Sequence, residues 1–185
     1  AEMHEAMGFC LFNTIAIAAR HARSSLGCKR VLIVDWDIHH GNGIQHAFAE
    51  DPSVLYFSVH RYEKGTFFPA GCRNSPVPDA SCQAVGGRGA EGTTVNVAWD
   101  TKGHRRPGDA EYLAVWREVL MPIATEFDPD LVLVAAGFDA AEGDIHGKMC
   151  ISPSGFGAMT ARVLRAVACP VAAALEGGYN AALTS

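Results

Sequence analysis

The 185 residues suffice for one domain with its own core, and a composition of 49% hydrophobic and 19% charged residues is ordinary for a soluble globular segment. A formal net charge of −5 argues against a surface built to neutralise phosphates, so direct nucleic-acid binding is not expected. The six cysteines form no C-x-x-C pair, which argues against a disulfide framework or zinc ribbon, and neither a signal-peptide pattern nor a membrane-length apolar run is present.

In chain order, residues 9–23 repeat apolar side chains at helical spacing and predict a first helix. Residues 31–36 and 54–59 are short continuous apolar runs, predicted as strands buried on both faces. Residues 69–91 hold Gly, Pro, Ser, Asn and Asp without any period and predict a long loop. Residues 94–97 form a weaker strand pattern. A helix is predicted over 110–127, entered through Pro107-Gly108-Asp109 with Asp109 as N-cap. Residues 131–136 and 171–175 read as two more buried strands. Between them, 152–167 predicts a helix with Ser152 as N-cap and Pro153 as first helical residue. Strands alternating with helices predict an α/β fold, an open and mainly parallel sheet flanked by helices, with no internal repeat or linker.

The polar chemistry gathers where strands end, which is where open α/β sheets bind ligands. The first strand runs into Asp35-Trp36-Asp37-Ile38-His39-His40-Gly41-Asn42-Gly43. Alternation along extended chain puts Asp35, Asp37 and His39 on one side and Trp36 and Ile38 on the other. The fourth strand exits into Gly137-Phe138-Asp139 and the last into Glu176-Gly177-Gly178-Tyr179. Asp and His beside glycines commonly cap turns. Two carboxylates and one imidazole on strand exits, however, also suit a catalytic zinc with three protein ligands and an open position. The set is Asp37, His39 and Asp139.

The run Val34-Asp35-Trp36-Asp37-Ile38-His39-His40-Gly41-Asn42-Gly43 resembles the zinc-binding segment of the histone deacetylase family. Further matches follow in order: Gly8-Phe9-Cys10, Ser58-Val59-His60-Arg61-Tyr62, Gly65-Thr66-Phe67-Phe68-Pro69, Ala136-Gly137-Phe138-Asp139-Ala140 and Leu175-Glu176-Gly177-Gly178-Tyr179. The resemblance covers nearly the whole chain, least well in the loop 72–88, and Trp36 and Asn42 point to class II. It implies the arginase/deacetylase-like fold and zinc-dependent hydrolysis of acetyl-lysine in histones or other proteins, with acetylpolyamine hydrolysis or a silent acyl-binding module as alternatives. Zinc would sit on Asp37, His39 and Asp139, and Tyr179 would donate to the oxyanion. Gly8, Phe9, Phe68 and Gly178 would line a narrow channel for the acyl-lysine stem, with His146 at its mouth. There, polyamine-directed relatives carry glutamate and protein-directed ones leucine.

The resemblance also implies structural potassium on Asp35, Ser58 and the carbonyls of Asp37, His39 and Val59. A weaker second potassium site would use the carbonyls of Phe48, Asp51, Val54 and Thr93. The family's general base is a tandem histidine, which the pattern places just before Ala1. The chain is therefore expected to be a partial catalytic domain, inactive alone, lacking both that N-terminal part and a C-terminal part. Acetylated proteins, and a corepressor complex, are the implied partners. The implied setting is nucleus, cytoplasm or both.

Overall fold

Val31, Leu32, Ile33 and Val34 are all buried, as continuous apolar strands in the middle of a parallel sheet must be. The computed structural model describes residues 1–69, 79–103, 106–180 and 182. Its elements are α1 (Thr14–Ser25), β1 (Val31–Asp35), α2 (Asn42–Phe48), β2 (Val54–Arg61), a 3-10 turn (Glu63–Gly65), β3 (Thr94–Trp99), α3 (Asp109–Val115), a π turn (Trp116–Leu120), α4 (Met121–Phe127), β4 (Leu131–Ala136), α5 (Pro153–Ala166) and β5 (Val171–Leu175). All adjacent strands are parallel and the sheet order is β3-β2-β1-β4-β5. The chain builds outward from β1 through β2 to β3, then crosses back to place β4 on the other side of β1. The topological switch point lies between β1 and β4, and their carboxyl ends form the crevice where such sheets bind ligands.

Alternation along the strands divides the core in two. Leu32, Val34, Leu55, Phe57, Val132 and Val134 pack with Tyr112, Trp116, Leu120 and Met159 from the long helical segment and α5. Val31, Ile33, Val54, Tyr56, Leu133 and Ala135 face α1 and α2, where Ala16, Ala19 and Ala22 let α1 approach the sheet closely. Trp36 and Ile38 join the first of these cores, so the exit of β1 turns the neighbouring polar residues away from it.

Four expectations need correction. The first helix starts at Thr14 rather than at residue 9, because Asn13 caps it by accepting from the Ala16 N–H at 3.0 Å. Phe9 has φ +64°, outside the helical region, and stands 95% exposed. The helix over 110–127 is continuous only through a π turn. Pro122 has no N–H for the Glu118 carbonyl and its ring crowds that turn, which the wider spacing relieves. Gly108, not Asp109, is the N-cap of α3, and its N–H is taken by Glu111 Oε2 at 2.9 Å. The Asp109 carboxylate instead accepts from Ser152 N (2.8 Å) and Ser152 Oγ (2.6 Å), joining the starts of α3 and α5. Finally, β5 is a strand as predicted but, among the described residues, lies at the sheet edge with Leu175 exposed.

Ser152 and Pro153 begin α5 as expected. The predicted loop shows no helix or strand over 79–91, its stretch 70–78 lies outside the described residues, and so does Cys72. The other cysteines are free thiols. No helix among the described residues is long and apolar enough to cross a membrane.

A candidate metal centre at the strand ends

Asp37 and His39 leave the end of β1 and Asp139 leaves the end of β4, which places all of them across the switch point. Their ligand atoms lie within 4.8 Å of one another. His39 Nδ1 is 3.1 Å from Asp37 Oδ1 and 3.0 Å from Asp139 Oδ2. Backbone amides fix the carboxylates. Ile38 N donates to Asp139 Oδ1 (2.8 Å), His39 N to Asp37 Oδ1 (2.8 Å) and Gly177 N to Asp37 Oδ2 (2.8 Å). Gly177 is required: a Cβ there would stand 2.4 Å from Asp139 Oδ2 and 2.6 Å from Asp37 Oδ2.

Burial pushes the Asp139 carboxyl up to about 6, against the pull of the nearby His39 imidazole and with help from the facing Asp37 charge. Burial works against ionisation of Asp37 too, but its bonds to His39 outweigh that and hold it below the usual range. Burial alone would lower His39, yet the two carboxylates raise it to about 9. The cluster thus attracts positive charge to its centre. Asp139 Oδ2 is fully buried and, although near His39 Nδ1, makes no well-directed hydrogen bond. A buried carboxylate oxygen without a directed donor, aimed at an imidazole and a second carboxylate, fits a metal ligand set.

The centre opens into a cleft of about 680 Å³ lined by Gly8, Phe9, Phe68, Gly178 and Tyr179 among others. Around His39, Tyr179 stands edge-on with ring centroids 6.2 Å apart and Phe68 edge-on at 6.1 Å. Phe9 meets Tyr179 edge-on at 6.4 Å. The exposure of Phe9 and the half-exposure of Phe68 suit walls of an open slot and not core packing. No described residue hydrogen-bonds the Tyr179 hydroxyl, and burial, with the charges of Asp37, Asp139 and Asp144, pushes it up to about 12. It therefore stays protonated and able to donate. His146 is exposed and does not line the cleft itself, but its ring lies edge-on to Tyr179 at 4.9 Å.

Behind the centre, Asp35 and Ser58 are partners in the β1–β2 register and are buried, as is Val59. Asp35 accepts from Tyr56 Oη (2.9 Å) and Asp37 N (3.1 Å), and burial raises its carboxyl well above the usual range. Ser58 Oγ pairs with His60 Nδ1 at 2.8 Å. His40 lines the cleft as well, but its Nε2 is bonded to Gln45 Oε1 at 2.8 Å and its ring packs 4.7 Å from His60.

A family model described as "Histone deacetylase domain" matches residues 1–185. The chain belongs to the histone deacetylase family. It is 49% identical over 183 residues to "Histone deacetylase 5" of Arabidopsis thaliana, covering 97% of this chain and 26% of that protein. It is 49% identical over 175 residues to "Polyamine deacetylase HDAC10" of Mus musculus, covering 95% of this chain and 25% of that protein. The crystal structure of the HDA15 HD domain superposes with a TM-score of 0.89 at 42% identity, over all of this chain and 49% of that one. The chain thus spans about a quarter of the curated relatives' length. These relatives agree with the class II assignment drawn from Trp36 and Asn42, and the sheet agrees with the arginase/deacetylase-like fold.

Sequence reasoning missed Phe67, Gly177 and Asp144. The Phe67 ring stacks on His39 at 5.2 Å with planes 11° apart, next in sequence to Phe68. The signal for Asp144 was the Gly143-Asp144 turn, which marks an Asp bonding to amides ahead of it.

Proposed function

We propose that the protein containing this segment hydrolyses the acetyl amide of N6-acetyl-lysine in histones or other proteins, releasing acetate. The observation carrying this reading is the convergence of the Asp37–His39–Asp139 set and the Tyr179 ring on one aromatic-walled cleft. Zinc held by those three residues supplies Lewis acidity toward an amide carbonyl and toward water. Phe9 and Phe68 flank an uncharged aliphatic stem and exclude water from it, with the Gly8 carbonyl near the substrate amide. Tyr179 donates its hydroxyl proton in a hydrogen bond to the oxygen that becomes negative during attack. His40 is not read as the general base, because its ring is buried, its Nε2 is bonded to Gln45 Oε1 and the family pattern assigns that role to a tandem histidine. Potassium on Asp35, Ser58 and the Val59 carbonyl, with a second ion on the carbonyls of Phe48, Asp51, Val54 and Thr93, would brace the exit of β1. Action on acetylated proteins in the nucleus or cytoplasm, within a corepressor complex, belongs to the same proposal.

Acetylpolyamine hydrolysis is the second reading. It is favoured by the identity to proteins named polyamine deacetylases and opposed by His146, which supplies no carboxylate for a distal ammonium.

The test is Tyr179→Phe in the full-length protein, assayed by acetate release from an acetyl-lysine peptide. The expected result is a fall in kcat of roughly a hundredfold with zinc content unchanged. An unaltered kcat would contradict the role of Tyr179.

A further inference from the structure

Asp144 is buried among exposed neighbours on the loop that follows the proposed zinc ligand Asp139. One carboxylate oxygen serves its own loop: Oδ1 accepts from His146 N at 2.8 Å and Gly147 N at 2.9 Å. That is an ordinary Asx turn and needs only one oxygen. The other oxygen leaves the loop, and Oδ2 accepts from the backbone N–H of Tyr179 at 2.8 Å, 35 residues away in sequence. Asn180 Nδ2 adds a second tie to the Gly143 carbonyl at 3.1 Å.

The loop itself is packed from two directions. At Gly147 a Cβ would stand 1.6 Å from the Asp139 carbonyl oxygen, so this turn is pressed against the backbone of the metal ligand. From the opposite side Arg61 Nη1 donates to the carbonyls of His146 (3.4 Å) and Gly147 (3.2 Å). Arg61 is in turn held by Glu63 Oε1 at 2.9 Å and lies over the Phe67 ring at 4.3 Å, the ring that stacks on His39. Asp144 therefore links a braced loop to the segment after β5, whose tyrosine hydroxyl has no hydrogen-bond partner among the described residues.

We propose that Asp144 is a positioning residue that holds Tyr179 in register with the Asp37–His39–Asp139 set, acting through the Tyr179 backbone amide. This rests on the reading of Tyr179 as the oxyanion donor. A charge-assisted bond to the amide fixes where the Cα lies, and displacement of a catalytic group by about an ångström can cost on the order of a hundredfold in rate. The same contact couples the cleft rim to the chemistry, because His146 and Tyr179 hang on the two oxygens of one carboxylate.

The experiment uses the full-length, zinc-loaded protein with Asp144→Asn, Asp144→Ala, Tyr179→Phe and the double variant Asp144→Ala/Tyr179→Phe. Amide hydrogen exchange of Tyr179 is followed alongside acetate release from an acetyl-lysine peptide. Asp144→Ala is expected to lower kcat about tenfold or more, with KM for the peptide and zinc content held near wild type. On the Tyr179→Phe background the same change is expected to cost no more than about twofold, because its route runs through the missing hydroxyl. Asp144→Asn keeps only one acceptor oxygen, so Tyr179 exchange is expected to accelerate in it and in Asp144→Ala while β4 amides stay protected.

Unchanged Tyr179 exchange in both variants, or a full tenfold loss on the Tyr179→Phe background, would overturn the proposal. Wild-type turnover in Tyr179→Phe alone would count against the oxyanion reading, leaving exchange to decide whether Asp144 holds Tyr179.

Discussion

His146 is proposed to bear on substrate choice. Its ring lies 4.9 Å from that of Tyr179 and Asp144 accepts from its backbone N–H, which puts it beside the cleft residue Tyr179 though not in the cleft lining. An imidazole offers no negative charge to a distal ammonium and repels it when protonated. Wild type is therefore expected to favour an acetyl-lysine peptide over acetylated spermidine in kcat/KM, and His146→Glu to gain polyamine turnover. A wild-type preference for the polyamine would contradict this, and identical selectivity in both forms would mean that His146 points away from substrate. The candidate ligands Asp37 and His39 were legible in sequence because the D-x-D-x-H run on a strand exit sends alternate residues to one side, and Asp139 because it closes another strand exit. Asp144 was not, because its second bond spans 35 residues and only folding brings Tyr179 to it.

Among the elements, strands were read more faithfully than helix ends. Four apolar runs became β1, β2, β4 and β5 within a residue or two, and the weaker fifth became β3. Within these residues β5 has a strand on one side only, and its apolar run is exposed here for that reason. The start of α1 was misplaced because Phe9 and Phe12 keep helical spacing while serving the cleft and its rim, and Asn13 is the signal that marks the true start. Ser152 shows how one cap can join two elements. Its hydroxyl accepts from Gly155 N at 3.1 Å and donates to Asp109 Oδ2 at 2.6 Å. Ser152→Ala should lower unfolding free energy in urea by about 1–2 kcal/mol, with Ser152→Thr recovering most of it and kcat unchanged in both. Equal stability of the alanine variant would mean that Asp109 and Gly155 find other partners at no cost.

At the scale of the molecule, the order β3-β2-β1-β4-β5 explains why candidate ligands about a hundred residues apart meet. The crossover that reverses strand order puts the exits of β1 and β4 side by side, and the exit of β5 adds Gly177 and Tyr179 from the flank. The sequence announced a parallel sheet, but strand order was beyond it, because every buried strand here is apolar on both faces and would pair with any other. Under the proposed function, chemistry at that crevice depends on one metal held by Asp37, His39 and Asp139. The most direct measurement is zinc content, by elemental analysis, of the full-length wild-type protein and of Asp139→Ala purified alongside it. The variant should carry one zinc fewer per chain and release no acetate from an acetyl-lysine peptide. Equal zinc in the two proteins would contradict the assignment of the site.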